Sequence, residues 1–245
     1  VSDSIIIIPT YNEKENIERM IRTLLNLSKP FHILIVDDNS PDGTAEIVRN
    51  LIKNHPAQLH MIERTGKLGL GTAYLTGFKW ALEHKYQYIF EMDADFSHNP
   101  DDLIPLYQAC SEGEADLAIG SRYISGINVI NWPLKRVLMS YAASKYVRMV
   151  TGMKIMDTTA GFKCYRSTVL DQLDLNRIRM KGYGFQIEMK FKTWRLGFKI
   201  VEVPIIFTDR KEGTSKMSGG IFGEAFKGVI RMKIASYFTN PGKKN

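Results

Sequence analysis

The sequence predicts an α/β fold with a mostly parallel sheet covered on both faces. Three observations lead there. Short β-rich apolar runs alternate with amphipathic stretches through the first half of the chain, the order expected of βαβ units. The run 88–92 has the length and composition of a buried strand. Acidic and polar residues cluster just where several runs end, the edge at which open α/β sheets bind ligands.

In chain order, strands are expected at 4–8, 32–36, 58–62, 88–92 and 117–120, with helices between them at 16–27, 44–54, 72–83 and 101–112. Asn12 or Glu13, and Thr44, sit at plausible helix starts. The second half is less regular. Residues 132–150 read as a helix with Leu134, Val137, Leu138, Tyr141 and Met149 on one side, and 183–196 as another. Strand pieces flank Pro204 at 200–203 and 205–207. Residues 221–238 form a basic amphipathic helix, which either docks on the core or lies on a membrane surface.

The net charge of +7 favours anionic partners. The basic residues do not form an aromatic-interleaved stripe, so no nucleic acid is expected as a partner. The two cysteines, Cys110 and Cys164, are far apart in sequence, which gives no disulfide framework and no thiolate metal site. Cys164 is expected to be a packed core thiol. No run reaches the ~18 apolar residues of a membrane span.

The chemistry is concentrated in a few motifs. Asp93 and Asp95 are spaced i, i+2 at the end of an apolar run, so both side chains face one way. Two like charges at one point call for a cation; Mg²⁺ or Mn²⁺, which bridge to phosphates, suit such oxygen ligands. The competing account is a polar turn that caps the next helix. Pro9, Tyr11 and Glu13, in PTYNE, offer a wall and an acidic edge for a base pocket. In VDDNSPDGT the turn itself does not need two acids. Asp38 is expected to read a nucleobase, because one carboxylate can accept both the N1–H and N2–H of guanine. The glycines of 66–71 precede a helix but match neither GxGxxG nor the P-loop pattern. Gly120-Ser-Arg122-Tyr follows the fifth run, and 210–216 is a basic loop suited to closing over a diphosphate.

Taken in order from Pro9 to Lys216, PTYNE, VDDNSPDGT, KLGLGTAY, DADFSHNP, GSRY and the late R-x₅-K resemble the family-2 glycosyltransferases. Within them they resemble the group that acts on dolichyl or polyprenyl phosphate. The resemblance implies a GT-A-type, Rossmann-like sandwich over 1–216, followed by the amphipathic helix in 217–245. It implies donor contacts at Pro9, Tyr11, Glu13, Val36, Asp38, Asp93, Ala94 and Asp95. The metal falls to Asp93 and Asp95, with Ser97, where some relatives have glutamine, as a third ligand. Arg122, Arg210 and Lys216 match basic positions around the diphosphate and acceptor, and with Asp95 make up the expected catalytic set. Arg136 and Ser140, four apart on one helix face, match the acceptor-phosphate position. Gln186 is followed by Ile-Glu-Met-Lys, so the QxxRW signal of processive synthases is absent.

The implied reaction is inverting transfer of mannose from GDP-mannose to a polyprenyl or dolichyl phosphate by a cytoplasmic enzyme held peripherally at the membrane surface. A membrane-anchoring partner subunit or a C-terminal extension would assist it. Competing expectations are a glucosyltransferase that uses UDP-glucose and a catalytically silent nucleotide-sugar-binding protein.

Overall fold

The computed structural model describes residues 2–180, 182–209, 220–239 and 242, without the side chains of 220–225. The elements in order are β1 (Ser4–Thr10), α1 (Ile17–Leu25), β2 (His32–Asp37), α2 (Thr44–Asn54), β3 (Leu59–Glu63), α3 (Leu70–Glu83), β4 (Tyr88–Glu91), α4 (Leu103–Ser111), β5 (Leu117–Ser121), β6 (Val129–Ile130), α5 (Leu134–Thr151), β7 (Lys163–Arg166), α6 (Ser167–Gln172), α7 (Tyr183–Arg195), β8 (Ile200–Pro204), β9 (Phe207–Thr208) and α8 (Gly220–Ala235).

Seven strands form one sheet in the order β3-β2-β1-β4-β7-β5-β8. Every pair is parallel except the two made by β7. The expected mostly parallel sheet is therefore the one observed. Ile5 and Ile7 pack with Tyr74 and Phe78 on one face, while Ile6 and Ile8 pack with Ile17 and Met20 on the other. All four isoleucines are buried, each worth about 1.5–3 kcal/mol.

Two strands, β6 and β7, escaped the sequence reading. β7 is only four residues, KCYR, with a basic residue at each end; Lys163 is opposite Glu91 of β4 across the ladder. The segment expected as a strand at 205–207 is instead β9, which pairs with β6 in a separate two-stranded sheet. α1 begins at Ile17 rather than near Asn12, because Asn12 turns the chain at φ 55° and Asn16 and Ile17 then bond back to the Glu13 carbonyl. α8 packs on α5 and α7, with Val229 in the core.

Candidate functional site

The turns leaving β1, β2 and β4 carry Asn12, Asn39 and Phe96, three of the five non-glycine residues with positive φ among those described. Asparagine tolerates this conformation; a phenylalanine there costs about 1–2 kcal/mol. The Arg19 guanidinium lies 4.3 Å from the centre of the Phe96 ring. The strain is thus concentrated on the edge where the acids gather, as in functional turns generally.

At the end of β2 the two adjacent acids divide their work. Asp37 is fully buried and accepts bonds from Thr10 Oγ1 (2.7 Å) and from Ser40 N and Oγ, tying the β1 and β2 turns together. Asp38 accepts from Arg64 Nε at 2.6 Å and from the amides of Leu68 (3.1 Å) and Gly69 (3.3 Å). Arg64 also bonds Thr72 Oγ1 and the Gly69 carbonyl. Gly69 adopts φ 99°, ψ 154°, a region essentially closed to other residues, and this lets its amide face Asp38. Lys67 places its ammonium 4.4 Å from the centre of the Tyr11 ring. Tyr11 and Asp38 thus meet the same 66–69 loop. Both Asp38 oxygens are engaged within the chain, so an incoming base would have to share or displace these donors. Val36 and Ala94 are buried and can contribute only a floor. Pro9, next to last in β1, pairs with Val36. Glu13 is tied by its amide to Thr44 Oγ1.

Asp93 and Asp95 follow β4 and are both half-buried. Tyr74 of α3 donates to Asp93 Oδ1 at 3.3 Å; burial, then the Asp93 charge, raises the Tyr74 phenol well above its usual value, so it stays a donor. Asp95 Oδ1 accepts from the Ser97 amide (3.1 Å) and hydroxyl. Ser97 is buried, and in this geometry it braces Asp95; acting as a third ligand would require giving up that bond. Among the described residues no group of three or more His, Cys, Asp or Glu is arranged to hold a metal. The donor set is two hard carboxylates at a sheet edge. That fits Mg²⁺ or Mn²⁺, which take one or two carboxylates and fill their remaining positions with water and substrate phosphate.

Arg122, just after β5, is clamped. Its Nε and Nη2 bond Asp157 Oδ2 and Oδ1, each at 2.7 Å, its amide bonds Asp157 Oδ2, and Nη2 also reaches Thr159 Oγ1. Trp132 and Phe207 flank the guanidinium, their ring centres 5.4 and 5.5 Å away. Burial alone would raise Asp157, but Arg122 overcomes it and holds the carboxyl below its ordinary value. Arg136 bonds Asp209 Oδ1 at 2.8 Å and stacks on Trp132. Ser140 follows one turn later on α5. Asp209 N bonds the Ile130 carbonyl, and Thr208 N bonds the Ser97 carbonyl. Residues 208–209 therefore lie beside the turn that carries Asp95 and Ser97. Arg210 and Lys216 themselves lie outside the described residues.

His98 joins the two halves. It stacks on Phe162 and meets Phe207 edge-on. Full burial pushes its pKa down to about 4, opposed by Asp95 and Asp157 and reinforced by Arg122, so the ring is neutral and lies within the electrostatic reach of both Asp95 and the arginine clamp. Sequence reasoning missed Arg64, the partnership of Asp157 with Arg122, and the buried charges Glu91, Lys163 and Lys190. Glu91 was visible as an acid inside an otherwise apolar strand, two positions before Asp93.

A sequence profile described as glycosyl transferase family 2 matches residues 5–174. The chain belongs to glycosyltransferase family 2. This family-2 glycosyltransferase is 47% identical over 231 residues to the polyprenol monophosphomannose synthase of Mycolicibacterium smegmatis, covering 94% of this chain and 87% of that protein. It is 46% identical over 230 residues to the undecaprenyl-phosphate mannosyltransferase of Micrococcus luteus, covering 94% and 93%. Among solved structures it resembles glucosyl-3-phosphoglycerate synthase from Mycobacterium tuberculosis in complex with Mn²⁺, UDP and glucosyl-3-phosphoglycerate (TM-score 0.67, 18% identity, 95% and 79% coverage). It also resembles a mannosyltransferase from Pyrobaculum calidifontis in complex with GDP-Man and Mn²⁺ (TM-score 0.58, 16% identity, 96% and 73% coverage). At such identities the likeness carries the fold, and it is the GT-A-type sandwich that the motifs imply.

Proposed function

We propose that this glycosyltransferase transfers one mannosyl unit, with inversion, from GDP-mannose to a polyprenyl phosphate of the dolichyl or undecaprenyl type. The observation that carries this reading is the 46–47% identity, over 94% of the chain, to two proteins named for mannose and polyprenyl phosphate. The site's geometry supports it: an acidic turn suited to a metal and diphosphate is linked, through Thr208 N on the Ser97 carbonyl, to a half that carries Arg122 and Arg136, each paired with an aspartate. Tyr11, Glu13 and Asp38, over the floor of Pro9, Val36 and Ala94, would hold the nucleoside. Asp93 and Asp95, with Ser97 bracing Asp95, would hold Mg²⁺ or Mn²⁺. When bound, such an ion stabilises charge on a departing diphosphate. Arg210 and Lys216 would add to that neutralisation. Arg122, Arg136 and Ser140 would hold the acceptor phosphate.

A phosphate monoester has a second pKa of about 6, by analogy with phosphoamino acids. It is already a dianion at neutral pH and needs no strong general base. Neutral His98, buried among Phe162 and Phe207, is consistent with that economy.

Among the described residues no helix is long and apolar enough to cross a membrane. Leu134, Leu138 and Met149 of α5, and Ile230 and Ile234 of α8, are exposed, and Lys135, Lys145, Lys227 and Arg231 lie on the same helices. These two helices would rest on the lipid surface, with a membrane partner or further segment assisting. Vesicle binding should then weaken as salt rises.

The experiment is transfer of labelled mannose from GDP-mannose to a short polyprenyl phosphate in detergent, with Mg²⁺ or Mn²⁺ and with EDTA. The expected result is a metal-dependent mannolipid, lost on Asp95→Ala. Product from UDP-glucose, with none from GDP-mannose, would overturn the donor assignment.

A further inference from the structure

Besides Asp37, four charged side chains among the described residues have no solvent exposure: Glu91, Asp157, Lys163 and Lys190. Three of them have ionic partners: Glu91 with Lys163, and Asp157 with Arg122. Lys190 does not fit that pattern. Its ammonium donates to the carbonyl oxygens of Ala160 (2.6 Å) and Thr158 (3.1 Å) and reaches that of Gln186 at 3.5 Å. Three carbonyls thus meet the three N–H groups that an ammonium carries.

Two of those carbonyls belong to the turn 157–160, closed by the Ala160 amide on the Asp157 carbonyl. The same turn holds Arg122 on its other side, through Asp157 and Thr159. Lys190 is therefore inserted into the turn that aims the arginine. One helical turn earlier on α7, the Gln186 amide donates to Glu91 Oε2 at 2.8 Å and accepts from Lys163. Burying an ammonium with no carboxylate bonded to it is costly; burial, followed by repulsion from Lys163, drives the Lys190 pKa well below its usual value, against the opposing pull of Asp157 and Glu91. A leucine would fill the space without that cost, but it could not grip the turn.

We propose that Lys190 is a positioning residue for the acceptor half of the site: it fixes the turn 157–160 and so the direction of Arg122, without touching either substrate. The inference rests on the reading of Arg122 as an acceptor-phosphate contact. Lys190→Met removes the donors at similar length, and Lys190→Gln keeps a shorter donor. Both are measured as the full chain in detergent, with separate KM values for GDP-mannose and farnesyl phosphate, kcat, and melting temperature.

The acceptor KM should rise by about 2- to 30-fold, the span by which residues without ligand contact modulate binding, more in the methionine variant than in the glutamine one. The donor KM should stay within about twofold. Loss of kcat with both KM values unchanged, the result of a smaller folded fraction, would overturn the proposal, as would an equal rise in both KM values. If neither variant folds, amide hydrogen exchange of 157–162 in the unsubstituted protein decides. Slowing by farnesyl phosphate but not by GDP and Mg²⁺ supports the role, and no slowing overturns it. Wild-type turnover that does not saturate with prenyl phosphate counts against the proposed acceptor, and it is read separately from the ratio of the two KM values.

Discussion

Replacing Lys163 by methionine removes an ammonium 2.9 Å from Glu91 Oε1, in a pair with no solvent exposure on either side. At an effective dielectric of about 20, the gross attraction at that distance is roughly 6 kcal/mol, largely offset by the cost of taking both charges out of water. What remains after the substitution is a buried carboxylate held only by the Tyr165 hydroxyl (3.0 Å) and the Gln186 amide (2.8 Å). Breaking a buried pair in this way costs about 3–5 kcal/mol. For a chain of this size each kcal/mol lowers the melting temperature by about 2–4 °C, so Lys163→Met should melt roughly 6–20 °C lower. The double variant Lys163→Met/Glu91→Gln removes both charges of this pair and keeps an acceptor for Tyr165. It should recover to within about 1–2 kcal/mol of the parent. Urea unfolding of the two single variants and the double gives the coupling directly. A single variant within about 1 kcal/mol of the parent, or a double as unstable as the sum of its parts, would refute the view that Lys163 is there to neutralise Glu91.

Further expectations concern pH and packing. Asp102 has its pKa raised to about 6 by burial and then by Asp101. The folded state is penalised above that pKa and not below the ordinary carboxylate value, so Asp102→Asn should stabilise the protein at pH 8 and do nothing at pH 3.5. In a fully enclosed group such a rise would correspond to ~3 kcal/mol; for a half-exposed one about 1 kcal/mol is expected after screening, read by urea unfolding at the two pH values. His32 is lowered by burial and then by the N-terminal charge, and His60 by burial and then by His32 and His84. Their neutral forms belong to the folded state, so stability should be full above about pH 6.5 and fall as the pH drops below it. His32→Gln and His60→Gln should flatten that fall in melting temperature. A Cβ on Gly77 of α3 would sit 2.6 Å from Ile7 Cγ2. Gly77→Ala gains about 1 kcal/mol of helix propensity but loses about 1–3 kcal/mol to overpacking, so a drop in melting temperature of a few degrees is expected; a rise would mean that α3 shifts freely on the sheet.

The parallel half of the fold was legible because β1, β2, β4 and β5 are apolar runs separated by amphipathic helices, and local periodicity reports local structure. β7 was not legible. Its four residues begin with Lys163, and its charge makes sense only once Glu91 lies opposite it, a pairing between residues 72 positions apart. The Asp93–Asp95 turn and Arg122 stood out as motifs, since spacing alone brings Asp93 and Asp95 to one side of the chain. Asp38 was readable as a functional acid but not as one already engaged, because Arg64 reaches it from the end of another strand. Ser97 shows the limit of spacing arguments: the i, i+2 position put it on the correct side, but its hydroxyl found Asp95 first. The two cysteines, distant in sequence, are neighbours in space, with Cys110 Sγ 3.5 Å from the Cys164 carbonyl.

The place of β7 between β4 and β5 bears on how the chain is made. β4 leads to the acids and β5 leads to Arg122, yet neither strand is next to the other; both wait for Lys163–Arg166, roughly 70 residues beyond β4 and 40 beyond β5. During synthesis at about 5–20 residues per second, β4 leaves the ribosome some seconds before its neighbour, with one edge open and Glu91 still without Lys163. A nascent chain halted near residue 150 would hold a half-sheet with a bare edge, the kind of surface that chaperones capture. Ligand-binding competence should therefore arrive abruptly rather than by degrees as the chain lengthens, once β7 has been delivered.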